Sequence, residues 1–120
     1  SKTILIIEDD DSLRHALKEK LAHEGYSVVE AIQGEEGLQL ALSGHPDLIL
    51  LDVIMPRMNG EEMLKRLRKD EWGKGVPVIM LTNLSYLQDV KSKDHANEYL
   101  IKSDTKLETV VEKIKKYLQG

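Results

Sequence analysis

The chain has no cysteine among its 120 residues, which excludes a disulfide framework and a thiolate metal site. It also has no phenylalanine, and aromatic residues make up only 4% of it, so we expect an aliphatic core. No apolar run approaches the ~18 residues of a membrane-spanning helix, and the sequence shows no amino-terminal targeting pattern. These features favour a cytoplasmic protein that does not enter a membrane.

The charge and length limit the class of protein further. The formal net charge is −4 and the pI is near 5.6, whereas a nucleic-acid interface requires a basic face. An apolar content of 41% is sufficient for a core, and 120 residues suit one domain. We therefore expect a single domain over residues 1–120 that does not itself bind nucleic acid.

Strand-like apolar runs alternate with helix-like segments along the whole chain. The runs are rich in Ile, Leu and Val, which is typical of parallel strands buried on both faces. The predicted strands cover residues 3–8, 26–31, 47–52, 76–82 and 98–102. The predicted helices cover residues 11–23, 34–43, a segment that starts after 59 and ends before 73, 85–94, and a final segment after 105. This order predicts a three-layer α/β fold with a doubly wound parallel sheet.

Short polar patterns mark where several of these helices begin. Asn59 is followed by Glu62, and Thr105 is followed by Glu108, which is the spacing of a capping box. Asp10 lies just before the first predicted helix, where a carboxylate is favoured by the exposed backbone N–H groups. We assign Asp10 to helix capping and expect the two box patterns to start their helices.

Four predicted strands end in polar residues of different kinds. The first ends in the acidic string 8–11, and the third, fourth and fifth end in Asp52, Thr82 and Lys102. In an open α/β sheet the ligand lies just beyond the carboxyl ends of the strands. The topology would therefore gather carboxylates, a hydroxyl and an ammonium in one crevice.

The carboxylates of this set suggest a metal site. Mg²⁺ prefers oxygen ligands, and Asp9 and Asp52 could supply them from two strand ends, with Glu8 acting through a water. Three carboxylates in one place repel one another, and a divalent cation relieves that repulsion. For Glu8 and Asp9, helix capping alone is an alternative interpretation.

Thr82 and Lys102 extend the set towards phosphoryl transfer. That reaction needs an acceptor oxygen in line with the transferred group and cations that neutralise its equatorial oxygens. Asp52 would be the nucleophilic acceptor, and the product would be an aspartyl phosphate. Taken singly, a strand-end threonine is usually structural and a lysine is usually a solvated cation, so their joint placement carries the hypothesis.

Four segments of the chain, residues 4–10, 48–60, 77–82 and 99–102, occur in an order and spacing similar to one known family. Together they resemble a response-regulator receiver domain of two-component (phosphorelay) signalling, similar to the chemotaxis regulators. The resemblance covers essentially the whole chain. It implies the (βα)5 flavodoxin-like fold, with strand order 2-1-3-4-5.

The resemblance also implies roles for the acidic residues. Asp52 matches the phosphoacceptor, which makes the chain a phosphoprotein. Glu8 and Asp9 match the acidic pair that organises Mg²⁺, with Asp9 as the direct ligand. The backbone carbonyl of Ile54 matches the third ligand that the protein supplies.

The remaining family positions concern the phosphoryl oxygens and the switch. Thr82 and Lys102 match the residues that contact the phosphoryl group, and Tyr99 matches an aromatic switch that moves together with Thr82. Packing at the sheet edge is the structural alternative for Tyr99. Ser103 follows Lys102 where the family usually has proline, and because a cis bond without proline costs about 3–4 kcal/mol, we predict a trans bond.

The implied partners are proteins. The donor would be a phosphohistidine on a sensor histidine kinase or a histidine phosphotransfer protein, and the output would be an unidentified protein target. The chain would be a monomer, with dimer formation after phosphorylation left open. It would not be an enzyme beyond its own phosphorylation and autodephosphorylation.

Two other functions remain as alternatives. One is a receiver-like binding or scaffold module that is never phosphorylated. The other is a small metal-dependent phosphatase, which would want a second aspartate two residues after its nucleophile. Ile54 occupies that position and makes the phosphatase the weaker alternative.

Overall fold

The computed structural model describes residues 2–53, 58–83 and 95–119, which form a parallel sheet flanked by helices. The strands are β1 (Thr3–Ile7), β2 (Ser27–Ala31), β3 (Leu48–Asp52), β4 (Val78–Thr82) and β5 (Glu98–Ile101). The helices are α1 (Asp11–His23), α2 (Gly34–Gly44), α3 (Gly60–Arg68) and α4 (Leu107–Leu118). The sheet order β2-β1-β3-β4-β5 confirms the predicted order and fold class. The helix predicted over residues 85–94 lies outside the described residues.

The sheet separates two aliphatic core layers, because alternate side chains of a strand point to opposite faces. Leu5 and Met80 face the layer that contains α2 and α3, whereas Ile4 and Ile79 face the layer that contains α1 and α4. Strands β3 and β4 are buried at every position, and each is a continuous apolar run up to its last residue, Asp52 or Thr82, rather than an alternating pattern. Within the described residues, no helix combines the length and apolarity needed to cross a membrane.

The helix starts agree with the predicted caps at two of three places. Asp10, rather than Glu8 or Asp9, caps α1, because its carboxylate accepts a hydrogen bond from Leu13 N at 3.1 Å. Asn59 caps α3 and accepts a hydrogen bond from Glu62 N at 2.9 Å. The first turns that follow carry acidic residues, Asp11 in α1 and Glu61 and Glu62 in α3, which interact favourably with the helix macrodipole.

The predicted cap at Thr105 is wrong. Lys106 occupies the capping position of α4 without a side-chain hydrogen bond, and the Thr105 hydroxyl donates to the Ile101 carbonyl at 2.7 Å. The reason is a 3-10 turn, Lys102–Asp104, which follows β5 and turns Thr105 back towards the end of the strand. Lys102 therefore starts this turn instead of ending the strand, and the Lys102–Ser103 bond is trans, as predicted.

The start of α3 lies against the strand end that carries Asp52. An ideal Cβ on Gly60 would lie 2.5 Å from the Asp52 carbonyl oxygen and 2.9 Å from Val53 Cα. The Gly60 amide also donates to the Val53 carbonyl at 2.7 Å. Only glycine allows this close approach without displacing the backbone beside Asp52.

The close approach predicts that Gly60→Ala destabilises the protein by about 1–3 kcal/mol, because the added methyl overpacks the backbone of β3. The free energy of unfolding in urea measures the effect. Gly44→Ala is the matched control, since a Cβ at that position would meet no described atom within 4 Å and alanine favours a helix. Equal stabilities of the two variants would contradict the account.

Candidate metal and phosphoryl-acceptor site

A cleft of about 440 Å³ lies at the carboxyl ends of β1, β3, β4 and β5. The parallel register sets these ends level with each other, since Ile7 pairs with Leu51 and Thr82 pairs with Ile101. The cleft is lined by Glu8, Asp9, Asp10, Asp52, Thr82, Asn83 and Lys102. The structure therefore brings together the five predicted site side chains, those of Glu8, Asp9, Asp52, Thr82 and Lys102.

Three carboxylates converge in the cleft. Glu8 is 1% exposed and Asp52 is 5% exposed, whereas Asp9 faces solvent. One carboxylate oxygen of each residue lies within 4.8 Å of the others. Buried carboxylates this close repel one another, and a divalent cation relieves the repulsion. The set offers only oxygen donors, which is the ligand type that Mg²⁺ prefers.

The carboxylate of Glu8 is almost fully buried within this group. Its Oε2 accepts a hydrogen bond from Asp10 N at 3.0 Å. Its Oε1 lies 3.0 Å from Lys102 Nζ, yet makes no well-directed hydrogen bond to any described residue. A buried carboxylate oxygen without a directed donor suits a cation or a cation-bound water. The residues present therefore fit Mg²⁺.

The same environment changes the protonation of Glu8. Burial raises the pKa of Glu8 from 4.5 to about 7, and the negative charge of Asp52 acts in the same direction. The hydrogen bond from Asp10 N and the contact with Lys102 oppose this rise. Near neutral pH the carboxyl is therefore partly protonated, and a nearby positive charge would favour its ionised form.

Lys102 joins two of the acidic strand ends. Its ammonium lies 3.0 Å from Glu8 Oε1 and 3.1 Å from Asp52 Oδ1. Burial alone would lower the pKa of Lys102, but the close contact with Glu8 and the negative charges of Glu8 and Asp52 outweigh it and raise the pKa. Lys102 thus stays protonated at neutral pH and places a cation against the proposed acceptor.

The two expected switch residues occupy neighbouring strands. Thr82 is 1% exposed, and its hydroxyl donates to the Asn83 carbonyl at 3.2 Å. Tyr99 is half-buried and packs against the core layer of α2 and α3. The carbonyl of Ile54 lies outside the described residues, so its role as a ligand stays a prediction.

Arg14 is a feature of the site that the residue pattern did not reveal. Its Nη1 donates to the backbone carbonyl of Glu8 at 2.9 Å. The same guanidinium contacts Asp11 on its own helix and Glu30 on β2. The available sequence signal was the three-residue spacing from Asp11, which indicates only a surface ion pair on a helix.

A parallel α/β fold with carboxylates, a hydroxyl and an ammonium at one sheet edge is the arrangement that the resemblance to receiver domains implied. The chain belongs to the response regulator receiver domain family, whose family model matches residues 4–115. The fold and the family agree with the resemblance found in the sequence. The chain is thus a receiver domain of the kind used in two-component signalling.

Individual relatives support the family assignment. The DNA-binding dual master transcriptional regulator RpaA of Synechocystis sp. is 41% identical over 101 residues, which are 82% of this chain and 42% of that protein. The chain thus spans about two fifths of the length of the curated relatives that it matches.

Two solved structures match over nearly the whole chain. The signal receiver domain of a signal transduction histidine kinase from Syntrophus aciditrophicus has a TM-score of 0.91 and 32% identity, covering 100% of this chain and 92% of that one. The response regulator TrrA of Thermotoga maritima, in complex with Mg²⁺ and BeF, has a TM-score of 0.87 and 38% identity, covering 98% and 99%. The fold therefore occurs both in response regulators and in receiver domains of kinases.

The raised pKa of Glu8 predicts a pH dependence of stability. The pKa of Glu8 in the folded protein is higher than the ordinary glutamate value of 4.5, which applies to the unfolded chain. The contribution of this carboxyl to stability is therefore fully present below pH 4.5 and is lost as the pH rises through about 7. Without metal, wild type should lose roughly 1–3 kcal/mol more stability than Glu8→Gln between mildly acidic and mildly alkaline pH. Urea unfolding in EDTA measures the free energy of unfolding of both proteins across this pH range. Identical pH dependences of stability in the two proteins would refute the effect of burial.

Proposed function

We propose that this domain accepts a phosphoryl group on Asp52 from a phosphohistidine of a sensor histidine kinase or a histidine phosphotransfer protein. One observation carries the proposal: Asp52 Oδ1 lies 3.1 Å from the Lys102 ammonium, inside a cleft that it shares with Glu8 and Asp9. Family membership supports the same reaction. The proposed site is thus an acceptor carboxylate held beside a fixed cation.

The transfer requires one bond to form and one to break. An oxygen of Asp52 attacks phosphorus, the new O–P bond forms, and the P–N bond of the phosphohistidine breaks with its electron pair on the imidazole nitrogen. Lys102 is placed to pair with the phosphoryl oxygens, since its ammonium already contacts Asp52 at 3.1 Å. Thr82 can turn its hydroxyl from the Asn83 carbonyl to the same oxygens.

We assign Mg²⁺ to the acidic group next to the acceptor. The carboxylates of Glu8, Asp9 and Asp52, with the carbonyl of Ile54, would hold it. When bound, Mg²⁺ would neutralise charge on the phosphoryl oxygens. The Mg²⁺-containing structure of the related Thermotoga maritima protein supports this choice of ion.

We infer that the signal leaves the site through β4 and β5. Met80 pairs with Tyr99 and Thr82 pairs with Ile101, so a movement of Thr82 is passed to the neighbouring strand. Phosphorylation adds negative charge beside Lys102, and such a local change can bias a two-state surface. Tyr99 would change its packing and expose or cover a binding surface for the downstream protein.

Several parts of the proposal concern the setting of this domain. It would act as one domain over residues 1–120, as a monomer or a phosphorylation-dependent dimer, in the cytoplasm. It would catalyse only its own phosphorylation and dephosphorylation. RpaA is named as DNA-binding, but this chain has a net charge of −4, and we propose that it contacts proteins rather than nucleic acid.

The acceptor assignment predicts the result of treatment with acetyl phosphate and Mg²⁺. Intact-mass spectrometry should show one added phosphoryl group on wild type and none on Asp52→Asn, because the amide oxygen is a poor nucleophile. Asp47→Asn is the matched control, since Asp47 precedes the same strand and accepts a hydrogen bond from Thr3 N at 2.7 Å. It should be phosphorylated like wild type.

Two outcomes would count against this assignment. Phosphorylation of Asp52→Asn at the wild-type level would place the acceptor elsewhere. An unmodified wild type that also shows no spectral change with beryllofluoride and Mg²⁺ would favour the alternative of an unphosphorylated scaffold module.

A further inference from the structure

Arg14 is a largely buried cation on a surface helix, with its side chain only 15% exposed. It makes three directed contacts: Nη1 with the Glu8 carbonyl at 2.9 Å, Nη2 with Asp11 Oδ1 at 2.6 Å and Nε with Glu30 Oε1 at 3.2 Å. The acceptors belong to the end of β1, the first turn of α1 and strand β2. One planar guanidinium therefore links three elements beside the acidic cleft.

The hydrogen bond from Arg14 to the Glu8 carbonyl lies where the β1–β2 ladder ends. The Glu8 amide donates to the Ala31 carbonyl at 3.0 Å, which continues the ladder one step past the last β1–β2 pair. Strand β2 ends there, and the Glu8 carbonyl receives its hydrogen bond from Arg14 instead. This carbonyl belongs to the peptide that joins Glu8 to Asp9, so Arg14 fixes the orientation of that peptide.

We propose that Arg14 is a positioning residue for the metal site. By holding the Glu8–Asp9 peptide, it sets the directions in which two of the three converging carboxylates leave the backbone. Groups that orient ligands from behind commonly change metal affinity when they are removed. The inference rests on the proposed function, because it concerns the same acidic cluster.

Glu30 holds the guanidinium from the side of β2. Its Oε1 accepts from Arg14 Nε, while its Oε2 lies 3.1 Å from Lys18 Nζ. Lys18 is on the next turn of α1, and its contact is with Glu30 rather than with the Glu8 carbonyl. Lys18 thus provides a second cation on the same carboxylate that does not hold the peptide.

A comparison of Arg14→Gln with Lys18→Gln separates a positioning role from a simple effect of charge. A cation near an acidic cluster weakens the binding of another cation, so loss of charge alone would tighten Mg²⁺ binding in both Arg14→Gln and Lys18→Gln. Loss of positioning would weaken binding in Arg14→Gln only. The two explanations therefore predict opposite signs for Arg14→Gln.

The experiment measures Mg²⁺ affinity by calorimetry on the whole chain, without a phosphoryl donor. Arg14→Gln should weaken binding about 10-fold. Arg14→Lys should fall between Arg14→Gln and wild type, because an ammonium lacks the planar fork, and Lys18→Gln should bind as wild type or slightly tighter. The amide NMR shift of Asp9 without metal should move in the two Arg14 variants and stay unchanged in Lys18→Gln.

The outcomes distinguish this inference from the proposed function. Wild-type or tighter affinity in Arg14→Gln, or equal weakening in Arg14→Gln and Lys18→Gln, would overturn the positioning role, and so would a wild type that does not bind Mg²⁺. If Arg14→Gln does not fold, Arg14→Lys, which keeps the charge, replaces it; several-fold weaker binding than wild type is expected, and wild-type affinity would overturn the role. A wild type that binds Mg²⁺ but resists acetyl phosphate would contradict only the acceptor assignment.

Discussion

The contact of one ammonium with two buried carboxylates is the interaction on which the site depends. Lys102 reaches from the end of β5 to Glu8 and Asp52, at 3.0 and 3.1 Å. Two carboxylates buried side by side would repel each other strongly without a cation between them. The parallel register makes the contact possible, because it sets the ends of β1, β3 and β5 at one edge of the sheet.

With its carboxylates ionised, this cluster carries two negative charges that Lys102 does not balance, which is the charge that one divalent cation would offset. Lys102 serves two buried acids, Asp9 adds a third carboxylate, and burial still raises the pKa of Glu8 to about 7. Replacing a buried charged cluster with well-packed apolar side chains often leaves a protein equally stable or makes it more stable. The fold instead retains a local electrostatic cost where a metal and a phosphoryl group would bind, which is typical of functional sites.

Much of this arrangement could be predicted from the sequence, because strand periodicity and the geometry of parallel sheets place strand-end residues together. Asp52, Thr82 and Lys102 line one cleft as that reasoning predicted, although Lys102 follows β5 instead of ending it. The predicted cap at Thr105 was wrong, because the capping pattern carries no information about the 3-10 turn that shifts the start of the helix. The hydrogen bond from Arg14 to the Glu8 carbonyl could not be predicted from the sequence, because a backbone carbonyl is present in every residue.

The most direct test of the account is a crystal structure of the chain with Mg²⁺ and beryllofluoride. The account predicts beryllium bonded to an Asp52 oxygen, with Lys102 moved from Glu8 to a fluoride and Mg²⁺ contacting Asp9. Lys102 unchanged between Glu8 and Asp52, or beryllofluoride bound at another residue, would contradict it.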